Sequence, residues 1–318
     1  MINQVTLQIN ISPGDINYAG LTIPALVANH SDIKKRLLIV DCCRPQKTKL
    51  VDPDLKFPIH NFEKNVEKII EISKKLLKDN IVTEVHYLYH DSPLFKVVSK
   101  KYLNNLYDCT HAAGGTANMS YWVGIELCNS KYVLHYDGDI ILYQKSDYSW
   151  VEEALSLMLK EENVIIAVPR LAPPPNEIDY PSYQEGREIT SFEKFWINDW
   201  FSTRHFLLDK EKLNSFLPLV IGKVKVELLL RKYLRRAFPI DPEMLLFKSL
   251  GRRGCKRLIL KNKNAWITHP ADKPENFLRN VKKIISEVKQ GNFPLEQMGY
   301  ENINLDAWIN FIENKESD

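Results

Sequence analysis

The first half of the chain alternates short apolar runs with amphipathic segments. The apolar runs are rich in Val, Ile, Leu and Tyr and are bounded by turn residues, a pattern typical of buried strands. The longest amphipathic segment, 61–80, carries apolar residues on one face and Lys and Glu on the other, which predicts a helix. The predicted strands are 5–11, 37–43, 82–89, 106–110 and 131–137, and the predicted helices are 17–31, 61–80, 93–105 and 117–129. Strands that alternate with helices predict an α/β fold with a mostly parallel sheet flanked by helices.

The second half continues the alternation and adds two unusual segments. Its predicted strands are 164–168, 204–209, 258–260 and 265–268, and its predicted helices are 150–162, 210–216, 222–236, 242–251 and 275–289. A mixed tail at 303–313 follows. The proline-rich segment 169–188 is long enough to be a lid or a binding loop. The aromatic segment 192–201 is either a packed helix beneath that loop or a platform for a ring-shaped or apolar acceptor. Trp196 and Asp199 are its candidate acceptor-binding residues.

Composition and charge narrow the classes of function. The 318 residues are 44% hydrophobic and 26% charged, as in ordinary soluble globular proteins. A net charge of +3 argues against a nucleic-acid binder, because such proteins concentrate basic residues on one surface. The five cysteines have no Cys-x-x-Cys spacing, which favours a reducing compartment over a disulfide framework or a zinc site.

The sequence also predicts where the protein works. It has no signal-peptide pattern and no apolar run of the ~20 residues that span a bilayer, so we expect a cytoplasmic protein. The basic amphipathic segment 222–236 is most simply a solvated face. It leaves open peripheral contact with the inner face of the membrane, or with an acidic partner.

An acidic pair stands at the end of the most apolar predicted strand. Asp137 and Asp139 follow the run 131–136 with one glycine between them. A buried carboxylate is costly unless it is paired, and a divalent cation would remove that cost. The glycine would leave room for the ion and for a phosphate close to the backbone. The alternative is a polar β-turn, since Asp-Gly is a strong turn signal.

Other polar candidates also follow predicted strands. Asp41 ends the strand 37–43, and the small-residue loop 111–118 precedes a helix. Ligands of largely parallel sheets sit beyond the carboxyl ends of the strands, so we expect these residues and the acidic pair to share one site. His111, Gly115 and Asn118 are the loop's candidate contacts. His111 and Asn118 also suit helix caps, which is the preferred interpretation for Asn118.

The chain resembles the nucleotide-binding half of GT-A fold glycosyltransferases in the order of a small-residue loop, a helix, an apolar strand and Asp-Gly-Asp. Among these enzymes it is most similar to family 2, whose members use nucleotide sugars and invert the anomeric configuration. The resemblance covers roughly residues 5–270. It implies a GT-A-like, Rossmann-type mixed and mostly parallel sheet with acceptor-side elements towards the C-terminus. The implied division is a nucleotide-sugar-binding subdomain 1–145, an acceptor-binding and catalytic-base subdomain 146–272, and a helical tail 273–318.

The same resemblance implies roles for the acids and for a late histidine. Asp139 and His269, with Asp137, would hold a divalent metal, Mn²⁺ or Mg²⁺, that binds the donor diphosphate. A histidine ligand would favour Mn²⁺. Asp137 would also contact the sugar or ribose, and Asp41 would contact the nucleotide base. A structural role is the alternative for His269.

The catalytic base implied by the resemblance is an acid that opens a helix about a hundred residues after the Asp-x-Asp motif. Asp241 stands there, preceded by Ile240 where the family has Glu, and Glu243 is its rival. Asp241 also suits a helix cap. His205 is a weaker candidate near the presumed acceptor site.

Together these features predict a metal-dependent, non-processive glycosyltransferase that moves one sugar from a UDP- or GDP-type donor to an acceptor hydroxyl with inversion. The Gln-x-x-Arg-Trp motif of processive synthases is absent from the sequence. Three classes of acceptor remain candidates: a glycan, a lipid-linked molecule and a peptide. The alternatives are a non-catalytic nucleotide-sugar- or partner-binding protein of the same fold, or a sugar nucleotidyltransferase. No Gly-x-Gly-x-x-Gly or P-loop motif supports a dinucleotide oxidoreductase or a P-loop kinase.

Overall fold

The structure is a computed structural model that describes residues 1–107, 109–174 and 189–317. Its strands are β1 Val5–Ile11, β2 Lys35–Asp41, β3 Glu84–Leu88, β4 Tyr132–Asp137, β5 Ile141–Gln144, β6 Val164–Val168, β7 Thr190–Ser191, β8 Phe195–Asn198, β9 His205–Asp209, β10 Lys256–Leu260 and β11 Ala265–Thr268. Its helices are α1 Ala19–Ala28, α2 Pro53–Lys56, α3 Ile59–Lys78, α4 Pro93–Leu103, α5 Met119–Leu127, α6 Trp150–Met158, α7 Lys210–Asn214, α8 Gly222–Tyr233, α9 Pro242–Ser249, α10 Glu275–Lys289 and α11 Leu305–Ser317.

Nine of the described strands form one mixed sheet in the order β3-β2-β1-β4-β9-β6-β10-β8-β7, and β5 pairs with β11 in a separate ribbon. Strands β3, β2, β1 and β4 are parallel neighbours, and β6 is parallel to β10. Strand β9 runs against β4 and β6, and β8 runs against β10 and β7. Most strands therefore point the same way. Helix α5 packs on β1 and β2, and α6 packs on β6 and β10. The predicted α/β class, with a mostly parallel sheet flanked by helices, is confirmed.

The order of the strands creates a crevice between β1 and β4. From β1 the chain proceeds to β2 and β3 on one side, and then returns to place β4 on the other side of β1. In doubly wound sheets such a reversal opens a crevice beyond the carboxyl ends of the two strands, where ligands bind. Asn10 of β1 is paired with Asp137, the last residue of β4. The acidic pair of the sequence therefore lies at the switch point of the sheet.

Some predicted segments have a different structure. The described residues of 106–110 form no strand. The aromatic segment 192–201 contains strand β8 instead of a helix, because Phe195–Asn198 pairs with β10. Strand β5 was not predicted, since its four residues gain their hydrogen-bonding partner only when β11 folds back on them. Most of the predicted lid, residues 175–188, lies outside the described residues.

Two apolar cores hold the molecule together. The larger runs through the sheet and its flanking helices, from Val5 to Ile267. The smaller joins Tyr18 and Trp266 to the C-terminal helices α10 and α11, through residues that include Phe277 and Trp308. Burying one such large apolar side chain stabilises the folded protein by roughly 1.5–3 kcal/mol. The C-terminal helices are thereby fixed beside the β5–β11 ribbon, close to the switch point.

Candidate functional site

The Asp-Gly-Asp stretch forms a tight turn pressed against β1. The amide of Asp137 donates to the carbonyl oxygen of Arg204 at 2.7 Å, and the amide of Gly138 donates to that of Asn10 at 2.9 Å. A Cβ atom at Gly138 would lie 2.6 Å from Ile11 Cγ2 and 3.3 Å from Asn10 O. Only glycine fits this approach without a shift of the neighbouring strand. The turn therefore presents its two carboxylates from a fixed backbone.

Asp137 is held in a polar network that extends into the sheet. The Tyr121 hydroxyl lies 2.9 Å from each of its carboxylate oxygens, and His135 Nε2 lies 3.3 Å from Oδ1. The other ring nitrogen of His135 bonds Gln8 Oε1 at 2.5 Å. Burial raises the pKa of Asp137, and the bonds from its neighbours partly oppose that rise. Its position is thus set by side chains of α5, β4 and β1.

Asp139 and His269 each contact a cation. Lys273 Nζ lies 2.8 Å from Asp139 Oδ2. Arg204 Nη1 lies 2.6 Å from His269 Nε2, and His269 Nδ1 lies 3.2 Å from the carbonyl oxygen of Pro270. Thr268 pairs with Ile141 across the ribbon, so His269 follows at the end of β11 that faces the acidic turn. Two of the three residues predicted as metal ligands thus lie in one region, and each of the two is engaged by a positive side chain.

Glu301 completes this charged region. Its Oε1 lies 3.4 Å from His269 Nε2 and 3.9 Å from His205 Nδ1. Burial alone would raise the pKa of Glu301, but the neighbouring His269 and the charges around it hold the pKa below the ordinary value. His205 is buried, neither ring nitrogen has a hydrogen-bond partner among the described residues, and burial lowers its pKa to about 3. His205 is therefore a neutral imidazole.

The side chains in this region do not fit a divalent metal as they stand. Within the described residues, no group of three or more His, Cys, Asp or Glu side chains is arranged to hold a metal ion. An ion bound by Asp139 and His269 would have to displace Lys273 from the one and Arg204 from the other. Since Arg204 is exposed and the Lys273 side chain is about one-third exposed, both cations are also accessible to an anionic ligand.

Asp41 lines a cavity and has one carboxylate oxygen without a hydrogen-bond partner among the described residues. Its side chain is 3% exposed, Oδ1 accepts from the amide of Cys43 at 3.0 Å, and Oδ2 has no partner among the described residues. The cavity has a volume of about 320 Å³ and is lined by residues that include Ser12, Gly14, Asp41, Lys56, His111 and Gly115. A buried acceptor without a partner calls for an explanation, and a donor on a bound ligand would supply one.

The three candidate residues of the loop 111–118 differ in their relation to this cavity. His111 lines it and bonds the hydroxyl of Thr110 at 2.8 Å through Nδ1, and burial lowers its pKa. Gly115 has a φ of +83°, which glycine adopts without strain. Asn118 is fully engaged elsewhere: its amide donates to the carbonyl oxygen of Ile240 at 3.1 Å and its oxygen accepts from Trp122. Asn118 stands at the N-cap position of α5 but makes no side-chain cap bond, so the predicted cap is wrong.

The two candidate bases differ in their surroundings. Asp241 caps α9, because its Oδ1 accepts from the amide of Met244 at 2.8 Å. Glu243 Oε1 accepts from the amide of Thr203 at 3.0 Å and lies 3.3 Å from the hydroxyl of Ser202. Burial raises the pKa of Glu243. Burial also raises the pKa of Tyr121, as do the negative charges of Asp137, Glu243 and Asp139 around it. Glu243 therefore acts electrostatically on the same tyrosine that contacts Asp137.

The two candidate acceptor-binding residues, Trp196 and Asp199, contact other parts of the protein. Trp196 is 2% exposed, and its ring is covered by the Arg170 guanidinium at 5.5 Å and the Lys261 ammonium at 5.0 Å. Its ring is therefore not presented to a ligand in this structure. The backbone of Asp199 lies against Gly251, beyond the C-terminal end of α9, whereas Asp241 and Glu243 lie at the N-terminal end of that helix.

Four functional candidates were missed in the sequence: Tyr121, Arg204, Lys273 and Glu301. Arg204 is the first residue of a predicted strand, and this position at a strand end was the only available signal. Nothing local marks Lys273 or Glu301, because they reach the site through the packing of the C-terminal segment. Tyr121 lies on a helix that is buried on most sides, where its sequence pattern indicates only core packing.

Comparisons with known proteins show remote structural similarities. No family model matches the sequence, and no curated protein matches it. An active-site mutant of LgtC is 9% identical with a TM-score of 0.39, covering 92% of this chain and 98% of that chain. Glucosyl-3-phosphoglycerate synthase from Mycobacterium tuberculosis, in complex with Mn²⁺, UDP-glucose and phosphoglyceric acid, is 9% identical with a TM-score of 0.32, covering 89% and 77%. Apo UDP-glucose pyrophosphorylase is 9% identical with a TM-score of 0.35, covering 80% and 90%. At these values the case for a function rests on the geometry of this chain.

Proposed function

We propose that this protein is a glycosyltransferase that uses a nucleotide-diphosphate sugar. The observation that carries the proposal is Asp41, which lines a cavity of about 320 Å³ beside the switch point of the sheet and has one buried oxygen without a hydrogen-bond partner among the described residues. Uracil and guanine both carry a ring N–H that would donate to such an oxygen. The volume is near the lower limit of ligand pockets and suits a nucleoside.

The remaining parts of the site lie along one path from this cavity. Ser12 and Gly14 line the cavity, and Asp15 of the same turn lies within the electrostatic range of Asp139 and Lys273. A nucleotide whose base contacts Asp41 would extend its diphosphate along this turn towards the acidic pair. The exposed cations Arg204 and Lys273 would meet the diphosphate there, where charge develops on the leaving group.

The chain's own side chains supply the other steps. Asp137, held by Tyr121 and His135, would accept hydrogen bonds from the ribose or the sugar. Glu243 would take the proton of the acceptor hydroxyl as it attacks the anomeric carbon, which inverts the configuration. The raised pKa of Glu243 suits a base, because a more basic carboxylate removes a proton more readily. Asp241 would position the helix that carries Glu243.

The divalent ion implied by the resemblance is not assigned a step. Two of its three expected ligands, Asp139 and His269, are occupied by Lys273 and Arg204. We propose instead that these two cations balance the diphosphate charge. A metal would perform the same task if it displaced them, so the two arrangements predict different responses to a chelator.

Nucleotide binding to the Asp41→Asn variant tests the proposal. The amide keeps an acceptor for the Cys43 N–H but places a donor where the base N–H would donate. We expect UDP or GDP to bind the wild-type protein and to bind the variant about 10- to 100-fold more weakly in calorimetry. Asp32→Asn, at an exposed position, is the matched control. Equal affinity of wild type and Asp41→Asn would reject the assigned nucleotide site.

A turnover assay separates the competing functions. Release of free UDP or GDP from a panel of sugar nucleotides supports glycosyl transfer. Release of pyrophosphate from a nucleoside triphosphate and a sugar phosphate would identify a nucleotidyltransferase. Tight nucleotide binding without either release would identify a binding protein.

A further inference from the structure

Helix α8 presents an apolar stripe to solvent. Its residues Val224 and Leu228 are buried against the protein. On the opposite side lie Val226, Leu229, Leu230, Tyr233 and Leu234, which are 58%, 46%, 55%, 85% and 52% exposed. Their spacing of i, i+3, i+4, i+7 and i+8 places them on one face of a helix. We call these five residues the exposed stripe. No helix in the described ranges, α8 included, is long and apolar enough to cross a bilayer.

Basic residues surround the exposed stripe. Lys223, Arg235 and Arg236 are exposed, and Lys225 is half-buried. The segment 221–237 contains a single acid, Glu227. Glu227 is neutralised within the protein, since Lys248 Nζ lies 2.8 Å and Arg231 Nε lies 3.2 Å from its Oε1. The face is therefore both apolar and strongly positive.

We propose that the exposed stripe and its basic border dock on the surface of an anionic lipid bilayer. An apolar stripe flanked by cations is the arrangement with which amphipathic helices lie in the membrane interface. Each Lys or Arg near such a surface contributes about 1 kcal/mol. A second copy of this chain would fit poorly, because a two-fold interface through this face would bring its basic borders together.

The docking face is connected to the candidate site. The segment that follows α8 is tied to the loop 111–118: the amide of Ala113 donates to the carbonyl oxygen of Pro239, and the Asn118 amide donates to that of Ile240. Helix α9, with Glu243 in its first turn, begins directly afterwards. A molecule docked through α8 would thus hold the candidate site near the lipid surface. The docking proposal does not depend on the proposed function.

Vesicle co-sedimentation with the full chain tests the proposal. We expect binding to vesicles of phosphatidylcholine with about 30 mol% phosphatidylserine, and at least ~10-fold weaker binding to pure phosphatidylcholine. Raising the salt from about 0.05 M to about 0.5 M should release most of the protein, because it screens the basic border. Equal binding to both vesicles, or to neither, would overturn the proposal.

Surface variants separate the membrane from other occupants. Leu230→Ser combined with Tyr233→Ser should lower vesicle binding about 10-fold or more, whereas Leu55→Ser, at another exposed position, should not. Circular dichroism and the midpoint of urea unfolding should match the wild type, since the substituted side chains are exposed. If the wild type is a dimer in light scattering and the double variant is a monomer, the face binds a second copy and the membrane assignment is wrong. Unchanged vesicle binding by the double variant would also overturn it.

Discussion

At the scale of single residues, the two carboxylates that the sequence left as rivals have different surroundings. Asp241 caps α9 through Met244, and its role is accounted for by that bond. Glu243 accepts from the amide of Thr203, and its negative charge acts on Tyr121, which contacts Asp137. Sequence spacing favoured Asp241 because it opens the helix. Burial and neighbouring charges, which spacing does not reveal, favour Glu243.

Exchanging these two carboxylates for amides should have unequal effects. Glu243→Gln should lower the rate of UDP or GDP release by about 10²- to 10⁴-fold, with nucleotide affinity unchanged, because only the base is lost. Asp241→Asn should stay active, since Asn also caps helices well. The reverse ranking would return the base to Asp241.

The pH profile gives a second measure of the same residue. A base must be ionised, so the wild-type rate should fall as the pH drops through the pKa of Glu243. Because burial raises that pKa, the acid limb should lie above the ordinary glutamate range. The residual activity of Glu243→Gln should lack this limb. A wild-type rate that stays constant as the pH falls to the ordinary pKa range of glutamate would contradict the assignment.

At the scale of elements, the acidic turn depends on its close approach to β1. Gly138→Ala would place a Cβ atom 2.6 Å from Ile11 Cγ2, so β1 or the turn must move. We expect a loss of about 1–3 kcal/mol in the free energy of unfolding, measured with urea. Gly114→Ala is the control, since its Cβ would meet no atom within 4 Å. Equal stability of the two variants would show that the turn accommodates a side chain.

The elements that sequence patterns predicted well are those whose signal is local. Strands β1, β4 and β6 are continuous apolar runs, and their predicted bounds agree with the structure within one residue. Strand β5 and strand β8 were missed because each is defined by pairing with a distant strand, β11 and β10 respectively. Asp41 and Asp137 were placed at strand ends for the same local reason. The free oxygen of Asp41 was not predictable, because it depends on every neighbour around it.

At the scale of the whole molecule, the C-terminal segment is part of the candidate site. The sequence suggested a helical tail from residue 273 onwards. In the structure Lys273 pairs with Asp139, and the amide of His269 donates to the carbonyl oxygen of Glu301 at 3.0 Å. The smaller apolar core fixes this segment through Trp308 and its neighbours. Lys273 and Asp139 are more than a hundred residues apart in the sequence, and no local pattern encodes their contact.

The response to a chelator tests whether this segment supplies the charge that a metal would otherwise provide. If Lys273 and Arg204 balance the diphosphate, wild-type turnover should persist in EDTA. Lys273→Ala should slow turnover by about 10²-fold, comparable to the loss of one charge-stabilising donor. The same variant frees Asp139, so added Mn²⁺ should restore part of its activity. Lys282→Ala, on the exposed face of α10, is the control and should resemble the wild type. Loss of wild-type turnover in EDTA, reversed by Mn²⁺, would instead show that a metal displaces both cations during the reaction.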